Sequence, residues 1–301
     1  MVARQSLQDL QLGQVVLDNK IGVIAGGGQL PYAVARQIHA LGKQVFVLAL
    51  QGEADKSLRD FPCEEISITD LQKLIQLFKR EKIKQVVLAG GVRRRPSLRE
   101  LSWNRKTISA LFRFVSALRS GDDALLRAFM GYLENYGFEI ISAHQIVPQF
   151  LTPLHPFLTQ RRPSKQQINE IMEAAKIAKL LGEMDIGQAV VSVGGRVVAL
   201  EGAEGTDNML QRVAELRRQG RIGAKGGFLL KAAKPQQDFR ADLPAIGPVT
   251  VENVFKSHLD GIAVEAEKSF ILEFEKTINL ANNHKVFITS FCQKKLEKKN
   301  E

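Results

Sequence analysis

Short apolar runs alternate with amphipathic stretches through the first half of the chain. Ile21, Val23 and Ile24 give residues 20–28 the look of a buried strand that ends in Gly26-Gly27-Gly28. Residues 31–41 then carry Val34, Ile38 and Leu41 at helical spacing. Residues 45–50 predict a second strand, 70–82 a helix, and 85–89 a third strand ending in Gly90-Gly91. Helical patterns over 105–118 and 122–136 and a strand over 138–142 complete this half. Strands alternating with helices imply parallel pairing through helical crossovers, hence a Rossmann-like doubly wound sheet.

The pattern changes after Pro148. Pro148, Pro153, Pro156 and Pro163 exclude helix interiors and central strands there, so 148–165 reads as a linker. Beyond it, 166–181 is a helix, and 188–193 and 196–200 are strands joined by Gly194-Gly195, a type I′ hairpin signal. A helix over 206–218, a strand over 228–232, a polar loop over 234–244, a helix over 250–258 and short strands at 261–264 and 286–288 follow. The expected fold is therefore α/β in two domains: a Rossmann-like domain over 20–147 and a mixed α/β domain over 166–301, after a polar extension over 1–19.

The 301 residues, 45% hydrophobic, can bury two cores of ordinary size. The longest apolar runs, such as 43–50 and 189–193, stop far short of the roughly 20 residues that span a bilayer. Cys63 and Cys292 lie too far apart in sequence to suggest a disulfide framework and point to a reducing compartment, the cytoplasm. A formal charge of +10 draws the chain toward phosphate-rich partners: nucleotide, anionic lipid or nucleic acid. Nucleic acid is disfavoured, because aromatics are only 7% and scattered. Basic clusters occur at Arg93-Arg94-Arg95, Arg161-Arg162 and in the tail from Lys294, where solvation alone accounts for most such charges.

Candidate chemistry gathers in four places. Gly26-Gly27-Gly28-Gln29-Leu30, between a strand and a helix, could bring backbone N–H groups to a phosphate or sugar, or simply make a tight turn. A nicotinamide cofactor is disfavoured: Pro31 stands where the dinucleotide pattern has its third glycine, and the second strand ends Ala49-Leu50-Gln51 without a ribose-binding acid. Gly121-Asp122-Asp123 reads first as a helix cap and second as a magnesium site. The second half holds the densest loop acids. Asp185 and Gln188 precede the hairpin; Glu201, Glu204, Gly205, Thr206 and Asp207 follow it; Lys234, Asp238, Arg240 and Asp242 share one loop. Carboxylates there can hold a divalent ion or take a proton from water, while lysine and arginine neutralise phosphates. Thr206 and Asp207 serve equally well as plain helix caps.

Taken together, the runs 24–31, 121–123, 185–188, 204–210 and 234–247 resemble, in order and spacing, the LpxI family of UDP-2,3-diacylglucosamine pyrophosphatases. The resemblance extends from Lys20 to about Ile288. It implies hydrolysis of the lipid-linked sugar nucleotide to UMP and 2,3-diacylglucosamine 1-phosphate in lipid A synthesis, assisted by Mg2+, with the substrate held between the domains. It further implies peripheral attachment to an anionic membrane, at the cytoplasmic face of the inner membrane. A homodimer is a candidate assembly the sequence leaves open. Carried over by motif, Asp242 is the first choice for the essential acid and Asp238 the second. Gly26, Gly27, Gly28, Gln29, Leu30, Asp185, Gln188, Gly205, Thr206, Asp207, Lys234 and Arg240 are substrate contacts, and Asp242, Asp238 and Asp207 candidate metal ligands. Phe239 and the third arginine at 93–95 depart from the family pattern.

Overall fold

A computed structural model describes residues 16–92 and 122–292. The helix expected over 105–118, the arginines at 93–95, Gly121, the basic tail and most of the N-terminal extension lie outside the described residues. By packing, the chain divides into two units. The first takes residues up to Gln149 together with Asp238–Asp242; the second takes Phe150–Gln237 and the residues from Leu243 onward.

The first unit is built on a parallel five-stranded sheet. Its strands are β1 (Lys20–Ala25), β2 (Gln44–Leu50), β3 (Cys63–Ile66), β4 (Gln85–Ala89) and β5 (Glu139–Ile141), in the order β3-β2-β1-β4-β5. The chain winds outward from β1 through β2 to β3, then crosses to β4 on the other side. The carboxyl ends of β1 and β4 therefore meet at the topological switch point, where open α/β sheets collect ligands. Helices α1 (Leu30–Ala40), α2 (Leu71–Arg80), α3 (Asp122–Asn135) and the short α4 (Ala143–Ile146) complete it. Asp70 caps α2 by accepting from the Lys73 N–H. Fully buried Phe78 on α2 sits against Gly22 of β1, where a Cβ would come within 2.9 Å of its ring, and meets Phe46 and Phe138 edge-on. Glycine in this central strand thus makes room for a fully buried aromatic ring of the core.

The second unit holds a mixed five-stranded sheet. The hairpin of β6 (Ala189–Val193) and β7 (Arg196–Leu200) pairs antiparallel to β8 (Phe228–Lys231), and both Gly194 and Gly195 have positive φ as a type I′ turn requires. A two-stranded pair, β9 (Ala245–Ile246) with β11 (Phe270–Ile271), stands apart from it. Strands β10 (Gly261–Glu265) and β12 (Phe287–Phe291) run parallel to β8, and the order across the main sheet is β12-β10-β8-β6-β7. Helix α5 (Lys165–Glu183) covers one face with Ile171, Ala174, Ala175 and Ala178; α6 (Gly205–Arg218) and α7 (Pro248–Lys256) cover the other with Met209, Leu210, Val213, Val251 and Val254. Helix α8 (Phe274–Asn283) completes this unit. The proline-punctuated stretch is strapped along it: Thr152 N–H donates to Ser269 O and Leu158 N–H to Ile288 O. Ser164 and Gln167 then form a capping box that starts α5.

Candidate functional site

Each unit gathers functional groups at one end of its sheet. In the first, the glycine runs after β1 and β4 cross each other. Gly26 N–H donates to Ala89 O at 2.8 Å, Gly27 N–H to Gly91 O at 2.7 Å, and Gly91 N–H returns to Gly27 O at 3.1 Å. A Cβ at Gly26 would stand 2.4 Å from Gly91 O, and one at Gly90 2.5 Å from Gly27 O. These glycines are required by the crossing of two backbones, and the N–H groups of Gly26 and Gly27 are already engaged within it. Gly28, at φ +90°, turns the chain into α1, where Gln29 is the N-cap residue and Leu30 is buried. An anion at this helix start would be met by the later part of the glycine run.

Residues 238–242 pack with the first unit. Arg240 grips both carboxylate oxygens of Asp238 from its Nε and Nη2, at 2.7–3.3 Å, and reaches Glu134 of α3 through Nη1 at 2.7 Å. Ala241 packs on the core around α3. The Phe239 carbonyl accepts from the imidazole of His144 at the start of α4, while Nδ1 of that ring is buried without a partner. The Arg240 guanidinium, with its backbone N–H and the charge of Arg127, holds Asp238 below the usual carboxylate range. Burial pulls the His144 imidazole down, so it is neutral at neutral pH. Asp242 is exposed at the end of this segment.

In the second unit a carboxylate organises the site. Glu201, just past β7 and 7% exposed, accepts the Gln188 N–H at 3.0 Å on one oxygen and the Thr206 hydroxyl at 2.5 Å on the other. Gly187 lets them meet, since a Cβ there would lie 2.3 Å from Glu201 O. Gly205, at φ +76°, opens α6, and Asp207 in its first turn accepts from the Asn253 amide of α7 at 2.8 Å. Lys234 and Asp185 form an ion pair at 2.6 Å with both side chains nearly buried. Gln236 ties the same loop to the end of α5 through Gly182 O.

The structure thus joins Asp185 with Lys234, Gln188 with Thr206 through Glu201, and Asp238 with Arg240. Glu134, His144 and the organising role of Glu201 were not legible in the sequence, because each acts through a partner distant along the chain. As for a metal, Arg240 engages Asp238 and Asn253 engages Asp207. Among the described residues no group of three or more His, Cys, Asp and Glu could hold an ion. Among the described residues these donors form no preformed metal cage.

The LpxI N-terminal domain matches residues 20–150 and the LpxI C-terminal domain residues 155–289. The chain belongs to the LpxI family. A relative from Caulobacter vibrioides, the UDP-2,3-diacylglucosamine pyrophosphatase LpxI, is 36% identical over 271 residues, 89% of this chain and 96% of the relative. Among solved structures, the Thermus thermophilus UDP-glucose 4-epimerase in complex with NAD covers 93% of both chains at 11% identity, with a TM-score of 0.31. A Stenotrophomonas maltophila UDP-glucose-4-epimerase covers 40% of this chain and 35% of its own at 16% identity, with a TM-score of 0.26. Both scores are low. The LpxI match spans both units and includes the 238–242 segment.

Proposed function

We propose that this LpxI-family protein hydrolyses the pyrophosphate of UDP-2,3-diacylglucosamine to UMP and 2,3-diacylglucosamine 1-phosphate, in lipid A synthesis. The observation that carries this reading is the match to the Caulobacter pyrophosphatase over nearly the whole of both chains. The local chemistry agrees. Attack of water on a phosphorus needs a carboxylate to orient water or take its proton, and cations to meet the charge that develops on the phosphate oxygens. Asp242 is the better acid for the first task, because Asp238 is held as an anion by Arg240 and accepts a proton poorly. Lys234, Arg240, Gln188, Thr206 and the Gly28–Gln29 turn are the proposed contacts to phosphate and sugar, with Asp185 and Asp207 setting their neighbours.

Magnesium is proposed as a companion of the pyrophosphate rather than the resident of a protein cage. Mg2+ bound to phosphates keeps several waters and needs only one or two carboxylates. Asp242 is the proposed protein ligand. Because the substrate carries two acyl chains, the same reading puts the enzyme at the cytoplasmic face of the inner membrane of a Gram-negative cell, attached peripherally. Among the described residues no helix is long and apolar enough to cross a membrane.

Asp242→Asn tests the assignment. The amide keeps the shape but neither carries charge nor accepts water's proton. UMP release should fall about 10²–10⁴-fold, with substrate still bound. A folded variant within about tenfold of wild type would shift the role to Asp238 or Asp207.

A further inference from the structure

Phosphate chemistry requires cations, and two of the candidate cations are already committed to carboxylates. Lys234 pairs with Asp185, and Arg240 with Asp238 and Glu134. Lys231 differs from both. It ends β8, a central strand, where its register neighbours are Ala189 of β6 and Val264 of β10. Both neighbours belong to the apolar core beneath α6 and α7. Its side chain is buried, at 7% exposure. Its ammonium donates to Ala245 O at 3.1 Å, the one acceptor it meets among the described residues, and no carboxylate stands within ion-pair distance.

A buried ammonium is costly unless its three donors and its charge are met. Here one donor is met and the charge is not. Among the described residues no carboxylate lies within ion-pair distance of Lys231, and Glu201 at this end of the sheet is engaged elsewhere. Glu201, which adjoins Ala189 through its N–H, is occupied by Gln188 and Thr206. Helix α6 begins at Gly205 beside Glu201, and α7 begins directly after β9, whose Ala245 carbonyl Lys231 touches. Helix α6 has no side-chain cap, α7 opens on Pro248, and both starts present positive dipole ends. A second group is also unmet at this end of the sheet: Gln188 Oε1 is buried without a donor.

We propose that Lys231 is the central cation of a phosphate subsite at the end of β8, lined by the starts of α6 and α7. The ligand is a phosphoryl group borne on a sugar or nucleotide, whose hydroxyls supply the donor that Gln188 Oε1 lacks. In the hydrolysis proposed above, on which this inference rests, the ammonium stabilises charge on the non-bridging oxygens as water adds. No proton or covalent bond passes through it.

The test is Lys231→Met in the full-length protein, set beside Asp242→Asn. Methionine fills nearly the same volume without charge, and replacing a buried, uncompensated charge by an apolar group is neutral or stabilising. The melting temperature should hold or rise. UMP release from UDP-2,3-diacylglucosamine should fall about 10²–10³-fold, the loss typical of one oxyanion donor. Inhibition by inorganic pyrophosphate should weaken at least tenfold. Lys231→Arg, which restores charge, should recover part of the pyrophosphate inhibition.

A Lys231→Met protein that melts lower but keeps its specific activity and its inhibition by pyrophosphate would make Lys231 a structural residue and overturn the proposal. An inactive Asp242→Asn beside a fully active Lys231→Met removes this subsite alone. Full activity in both variants removes the wider assignment of the site.

Discussion

One pairing sets the charge of Asp238. With both oxygens on Arg240, its carboxyl is held below the usual range, so the folded protein binds fewer protons there than the unfolded chain. The stability this contact lends is therefore complete above the unfolded value near pH 4, and drains away as pH falls through the lower folded value. Melting curves between pH 2.5 and 6 should show this acid limb in the wild type and a shallower one in Asp238→Asn. Identical limbs would mean that Arg240 does not hold the acid in solution. The acids themselves were legible because loop carboxylates beside lysine and arginine stand out in sequence. The contacts that hold this loop were not, since Arg240 reaches Glu134 and the Phe239 carbonyl meets His144, both distant along the chain. Lys231 did leave a trace, a lysine in the apolar run Phe228-Leu229-Leu230-Lys231-Ala232-Ala233, but a strand end facing solvent has the same appearance.

At the scale of elements, the glycine crossing and the 238–242 segment make opposite demands on stability. Gly26→Ala would force a Cβ to 2.4 Å from Gly91 O, a clash with backbone that no rotamer relieves. A loss of about 1–3 kcal/mol is expected, the range for overpacking, read as a lowered urea midpoint at unchanged slope. The Arg240–Glu134 pair is half exposed on both sides and of the kind worth under about 1 kcal/mol. Glu134→Gln should leave the melting temperature within experimental error, yet speed hydrogen exchange at the amides of residues 239–242 and lower turnover. Unchanged exchange there would show that Ala241 and Phe239 hold the segment without it. The strands with strong apolar runs and the hairpin marked by Gly194-Gly195 were all readable. Strand β3, Cys63-Glu64-Glu65-Ile66, was not, because an edge strand with one buried side chain carries almost no hydrophobic signal. Helix α8 also escaped: Glu273 precedes it in a left-handed conformation with no side-chain cap, so the usual start signal is missing.

For the whole molecule, the family resemblance extended the sequence reading from sheets and loops to a reaction, while charge and composition alone left nucleotide, lipid and nucleic acid open. A protein of net charge +10 with a lipid-borne substrate should sediment with vesicles containing anionic lipid at low salt and be released as salt rises. Equal binding to neutral vesicles would remove the electrostatic part. Because no preformed metal cage exists among the described residues, EDTA should leave the melting temperature unchanged while stopping turnover. A large fall in melting temperature would reveal a structural metal instead. The most direct measurement is made on purified wild-type protein given UDP-2,3-diacylglucosamine in detergent with Mg2+, with products separated and counted. UMP and 2,3-diacylglucosamine 1-phosphate are expected in equal amounts. Release of UDP with free diacylglucosamine, or no product at any Mg2+ concentration, would contradict it.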